Sequence, residues 1–243
     1  MNKLSIIFAA LAATCFALCQ DGSPSAPLVS RNYHQYRIDI TEPTYGLAKV
    51  KAMIKNIKAA DDDGTPLTAA QFESLSVPEK FTFTMIHGEE MDQNCDPMPA
   101  IVGEEKLIFG ELPGNFDYTA AWSERQIAFL KHNRKAVISM IRKEMHKHSH
   151  VGLNLKHAIV EIDAYELIPD LVAAFDRNKK DLDVLTTLFL LMKDGKYKPF
   201  LESATYEKCY GPKADYKSCV DGNTANQKLT IQRAEAYYKG RMG

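Results

Sequence analysis

From Tyr45 onward an apolar residue returns every three or four positions, and this spacing leaves little room for anything except α-helix. In Tyr45–Ile57 the repeating positions are Leu47, Val50, Ile54 and Ile57. From Trp122 to about His146 they are Ile127, Leu130, Val137, Met140, Ile141 and Met145. A further run covers Leu155–Phe175, another Leu182–Met192, and a last helix is expected over Ala225–Lys239. Capping-box spacings mark starts at Thr68-Ala69-Ala70-Gln71, Ser76-Val77-Pro78-Glu79 and Ser123-Glu124-Arg125-Gln126. Asp181 is the expected cap of Leu182–Met192, and Asp194-Gly195 its end. Phe81-Thr82-Phe83-Thr84-Met85 alternates as a strand would, but no second strong strand exists to pair with it. The cap before it and the spacing of Val77, Phe81 and Met85 favour helix. The expected fold is all-α, a single helical domain over residues 43–243 built of stacked antiparallel helical hairpins.

The first residues stand apart. Met1-Asn2-Lys3 supplies one positive charge, Leu4–Leu18 is almost unbroken apolar sequence, and Cys19-Gln20 meets a polar run. These are the parts of a secretory signal peptide. The apolar stretch is shorter than the ~20 residues a membrane span needs. Ala17 and Cys19 occupy the −3 and −1 places of a cleavage site, so residues 1–19 are expected to be removed, leaving 224 of 243 residues. A lipid anchor at Cys19 or Cys15 is the alternative, although neither cysteine is preceded by a good lipobox. The destination is the cell envelope or beyond, periplasmic or extracellular. Residues 20–42 are polar and contain proline, and they read as an irregular, extended lead-in, with Arg37–Ile40 a short strand or coil.

Composition narrows the functions. With 30 Lys+Arg against 31 Asp+Glu, the chain lacks the basic excess of a nucleic-acid binder. A membrane is an expected partner only through a lipidated Cys19 or Cys15. No Gly-x-Ser-x-Gly elbow, His-Glu-x-x-His helix, phosphate loop or Cys-x-x-Cys occurs. In an oxidising compartment, Cys209 and Cys219 are expected to pair across the turn-rich Tyr210–Ser218 segment. Such a small loop would contribute about 2–3 kcal/mol. Cys95 is then the odd cysteine.

Two groups carry what chemistry the sequence offers. His146 and His150 are one helical turn apart, and His157 and Glu161 repeat that spacing on the next helix, so the four could hold zinc. Polar residues closing a helix give the same pattern. The second group is the polar turn His87, Glu89, Glu90 and Cys95, set among Met85, Met91 and Met98. Its sulfur and imidazole ligands would suit copper, and His87 beside two carboxylates would suit acid–base work. Tyr197, Phe200, Tyr206, Tyr210 and Tyr216, interleaved with lysines, read mostly as packing around the Cys209–Cys219 loop.

Two segments superpose at a separation of 30 residues: Leu155 on Leu185, Ile159 on Phe189, Pro169 on Pro199 and Leu171 on Leu201. A period of this length marks stacked helical units. Ile168-Pro169-Asp170-Leu171-Val172 and Lys198-Pro199-Phe200-Leu201 resemble the proline-started second helix of HEAT-type repeats, over about residues 154–205. That resemblance implies an open α-superhelix that binds other proteins. The reading that follows is an exported helical module that binds or scaffolds a protein partner, with no resident cofactor. A metal-binding protein or metal-dependent enzyme built on the His/Glu sets is the alternative.

Overall fold

In a computed structural model of the chain, residues 26–60, 67–91 and 98–243 are described. The signal segment with Cys15 and Cys19, and the candidate ligand Cys95, lie outside the described residues. The helices are α1 (Leu28–Ile38), α2 (Leu47–Ala60), α3 (Ala69–Glu73), α4 (Val77–Ile86), α5 (Glu124–His132) and α6 (Arg134–Lys147). They continue with α7 (Leu153–Glu161), α8 (Ile168–Arg177), α9 (Asp183–Asp194), α10 (Lys198–Leu201), α11 (Ala204–Tyr210) and α12 (Thr224–Met242). Strands β1 (Glu90–Met91) and β3 (Ala120–Ala121) form one antiparallel pair; β2 (Leu107–Phe109) and β4 (Cys219–Asp221) form another. The fold is all-α, with two short antiparallel strand pairs, of which β2–β4 packs on α9 with Ile108, Phe109 and Val220 buried.

The three capping boxes form as their sequences dictate, at Thr68, Ser76 and Ser123. The ambiguous Phe81–Met85 segment is helix, buried along its whole length inside α4. One expected long helix is broken in two, and the run that Pro169 interrupts is two helices. The Trp122–His146 stripe divides at Asn133 into α5 and α6. The Leu155–Phe175 run stops at α7, turns through Asp163 in the left-handed region (φ 47°) and restarts as α8 with Pro169 in its first turn. Proline is accepted there because its missing N–H has no intrahelical partner to lose.

The largest correction concerns residues 20–42. The expected extended lead-in contains an eleven-residue helix, α1. It was invisible to apolar periodicity because its inward face is Ser30, Tyr33 and Arg37, while Leu28 and Val29 point outward.

The core is organised around α9, which is buried from Asp183 to Met192 and packs against α7, α8, α12 and β2. The same core continues where Phe81, Phe83 and Met85 of α4 meet α2, α5 and α7. Fully burying one such side chain contributes about 1.5–3 kcal/mol. Asn154, wholly buried at the start of α7, joins the two regions. Its Oδ1 accepts from the Thr41 amide at 3.0 Å, and its Nδ2 donates to the carbonyls of Thr41 and Met85 at 2.7 and 2.8 Å. Beside it, a Cβ on Gly152 would stand 2.1 Å from the Thr41 nitrogen, so only glycine lets the two backbones approach.

Asn154→Ala would therefore strand buried Thr41 and Met85 groups and should cost at least about 2 kcal/mol in urea unfolding. Gly152→Ala should also destabilise, whereas the exposed Lys198→Ala should stay within about 0.5 kcal/mol of the parent. Equal midpoints for all four proteins would contradict the Asn154 staple.

Candidate functional site

α1 is fastened to the body by charge. The Arg37 guanidinium is buried and donates in bidentate fashion to Asp183, Nε to Oδ2 at 2.9 Å and Nη2 to Oδ1 at 3.0 Å. Its Nη1 donates to Glu104 Oε1 at 2.6 Å, and its Cζ sits 4.2 Å from the Phe109 ring centroid. Glu104 is fully buried and also accepts from the Ile101 amide at 3.0 Å. His34 Nδ1 lies 3.0 Å from the same carboxyl. Burial alone would raise the Glu104 pKa, but the His34 hydrogen bond and the charge and hydrogen bond of Arg37 outweigh it and hold the carboxyl below its usual range. One turn earlier on α1, Ser30 donates to Glu105 at 2.9 Å and accepts from the Gly103 amide at 3.0 Å. The i, i+4, i+7 spacing of Ser30, His34 and Arg37 puts all three on one helical face.

A second buried pair continues the seam at the α8–α9 turn. Lys156 Nζ and Asp181 Oδ1 are 2.6 Å apart, and Asp181 Oδ2 accepts from the Val151 amide. Asp181 is thus paired rather than serving as the expected side-chain cap of α9; Leu182 holds the N-cap position. Tyr33 accepts from the Leu182 amide and Tyr36 from Asn178.

These bonds fix the walls of an open cleft of about 690 Å³. One wall is the 3-10 turn Glu104–Lys106 running into β2, with Lys106 and Leu107 facing the space. The second is the α8–α9 turn, with Lys179 and Leu182. The third is the start of α12, with Asn223 and Gln227. The first and third walls are tied by Gly222 N–H donating to Lys106 O at 2.6 Å. Behind the 3-10 turn, His34, Glu104 and Glu111 line a separate cavity of about 30 Å³, room for about one water molecule.

The expected metal quartet does not converge. α6 ends at Lys147, so His146 and His150 do not share a helix. His146 Nε2 is 3.1 Å from Asp170, and the His150 ring packs at a tilt against Tyr36 with ring centroids 4.2 Å apart. His157 Nε2 donates to the Pro113 carbonyl at 2.7 Å, and Glu161 pairs with Lys131 at 2.7 Å. Among the described residues no group of three or more His, Cys, Asp or Glu side chains is arranged to hold a metal ion. The second candidate group is also dispersed. The His87 ring lies 5.2 Å from that of Phe83, Glu90 is exposed on β1, and Met85 belongs to the core. Glu89 is buried and engages Arg125 through two nitrogens, with Ser123 Oγ donating to it at 2.6 Å. That carboxylate fixes the start of α5.

Cys209 and Cys219 are free thiols, where a disulfide was expected. Cys209 is held in the last turn of α11 and Cys219 in the β2–β4 ladder opposite Phe109. The intervening segment closes without them, through Ala214 N–H to Gly211 O at 2.8 Å and Ser218 N–H to Asp215 O at 3.0 Å. Burial pushes the Cys209 thiol up to about 11. The neighbouring aromatic rings pack on one another, Tyr206 with Tyr210 at 5.2 Å and Phe200 with Phe189 at 5.3 Å.

Two outcomes test the seam. Arg37→Met leaves Asp183 buried without its counter-ion and should cost about 3–5 kcal/mol in urea unfolding. Burial and then the Lys156 charge push the His150 pKa down from 6.5 to about 3. The unfolded chain therefore takes up this proton first, so the contribution is complete above pH 6.5 and declines toward pH 3. His150→Gln should remove a slope of at most about 1.4 kcal/mol per pH unit in that interval. An unchanged slope would mean that His150 charges freely in the folded state. Set against known proteins, the chain matches no family model, no curated protein and no solved structure.

Proposed function

We propose that the chain is an exported, non-catalytic binding module of the cell envelope, and that the cleft between the Glu104–Lys106 turn, the α8–α9 turn and the start of α12 receives a protein partner. The observation that carries this reading is the construction of the cleft. Its walls come from three distant parts of the sequence, and each is anchored by buried or backbone hydrogen bonds: Arg37 to Glu104 and Asp183, Tyr33 to Leu182, and Gly222 to Lys106. Walls fixed before binding lose little freedom when a ligand arrives, which favours affinity. Leu107 and Leu182 offer apolar contact, while Lys106, Lys179, Asn223 and Gln227 supply donors along a peptide-sized opening. The resemblance to partner-binding HEAT-type repeats rests on Pro169 and Pro199, thirty residues apart in the sequence; the helices they open have ten and four residues. Export rests on the charged start and apolar run of residues 1–19.

The test compares capture of envelope proteins by the parent and by a Lys106→Glu/Lys179→Glu double variant, with Lys198→Glu on a remote helix as control. One protein should be retained by the parent and the control, and reduced about tenfold or more by the double variant, as loss of two charged contacts predicts. Identical capture by all three would remove the cleft from consideration.

A further inference from the structure

Among the described residues Lys156 is the only buried lysine, at 0% exposure. A lysine is almost never wholly out of water unless it is paired. The partner is Asp181, whose Oδ1 lies 2.6 Å from Lys156 Nζ and which is itself 2% exposed. An ammonium carries three donors, and Asp181 is the one hydrogen-bond partner of this one among the described residues. Two buried charges with donors left over are costly to keep as ions.

The groups around the pair suit a reaction that removes both charges. Asp181 Oδ2 accepts from the Val151 amide at 3.2 Å. His150 Nε2 stands 3.7 Å from the same oxygen and has no hydrogen-bond partner of its own among the described residues. Burial holds the Asp181 carboxyl above its usual range, with the Asp183 charge adding to it, against the charge and hydrogen bond of Lys156. A proton shifted across the 2.6 Å contact leaves a neutral amine facing a neutral acid, sealed among Leu153, Leu155 and Ile159 of α7.

We propose that Lys156 and Asp181 condense into an isopeptide bond that ties α7 covalently to the α8–α9 turn. The Nζ–Cγ bond forms and the Cγ–Oδ1 bond breaks. Negative charge developing on Oδ2 during the attack meets the Val151 N–H already directed at it, and Oδ2 remains as the amide oxygen. Of the three ammonium protons, one stays on the amide nitrogen and two leave with Oδ1 as water. The first of these crosses directly, and the second passes by way of His150 Nε2. No oxidant or cofactor is required. Holding the two groups in contact supplies the driving proximity, for which effective molarities of ~10⁵–10⁸ M are attainable. The bond spans 25 positions of sequence and fixes the turn that bears Lys179 and Leu182, although the inference does not depend on what the cleft receives.

The test samples the full chain over time after cell-free synthesis, digests it in denaturant and reads the peptides by mass. The expected product is one species joining the peptides that carry residues 156 and 181, lighter than their sum by one water. Dehydration at an Asp-Gly pair such as Asp194-Gly195 or Asp221-Gly222 stays within a single peptide and is thereby told apart. Lys156→Arg keeps the cation without an amine nucleophile and should yield no joined species, and His150→Gln should form it about tenfold more slowly or less. Separate peptides of full mass in the parent at every time would overturn the proposal, a reading that does not require either variant to fold. A joined species that persists in Lys156→Arg, or an unchanged rate in His150→Gln, would equally count against it.

Discussion

Arg37 is the residue on which the arrangement of α1, the Glu104–Lys106 turn and α9 depends. Taking a guanidinium out of water costs several kcal/mol, and attraction to a carboxylate repays this only with good geometry and with the remaining donors satisfied. Both conditions hold here. Two parallel hydrogen bonds to Asp183, a third to Glu104 and the face of Phe109 surround the cation on most of its directions. The nearby carboxylates are satisfied in turn, Glu104 by His34 and the Ile101 amide and Asp181 by Lys156 and the Val151 amide. A polar seam of this kind adds less net stability than an apolar interface of equal size, but it tolerates only one register, since a shift of one residue would strand several buried charges.

The helical body was legible in the sequence wherever the inward face is apolar. Leu47, Val50, Ile54 and Ile57 trace α2, and the Thr68, Ser76 and Ser123 boxes mark helix starts with local chemistry alone. The break at Asn133 was not legible, because the apolar stripe continues across it; Pro169 marked the start of α8, but nothing local marked the turn through Asp163 before it. At Asp163 the turn is set by contacts far away in sequence: Arg134 donates from its Nε to the Ile162 carbonyl at 2.8 Å. The short strands are equally silent. β2 and β4 have three residues each and pair with α5 to α11 between them in the chain.

The candidate site was illegible for a different reason. Arg37 is separated from Glu104 by 67 positions and from Asp183 by 146, and no one of the three stands out where it occurs. The one available local signal was the Ser30, His34, Arg37 spacing interleaved with Tyr33 and Tyr36, an amphipathic helix with a polar inward face. Apolar periodicity does not register such a face, so the segment reads as an extended lead-in. The histidines that did attract attention sit near helix ends, where an imidazole meets carboxylates and carbonyls as readily as metal. His146 on Asp170 and His157 on the Pro113 carbonyl are such cases.

The polar attachment of α1 also governs the cleft. The bonds of Arg37, His34 and Ser30 carry position from α1 to it, since Glu104 and Glu105 belong to the turn that forms its wall and Asp183 begins the helix behind Leu182. Displacing α1 would release two of the three walls together. The charged clasp thus sets these two walls in one fixed relation, which two independent apolar contacts, free to slide by a helical turn, would not ensure.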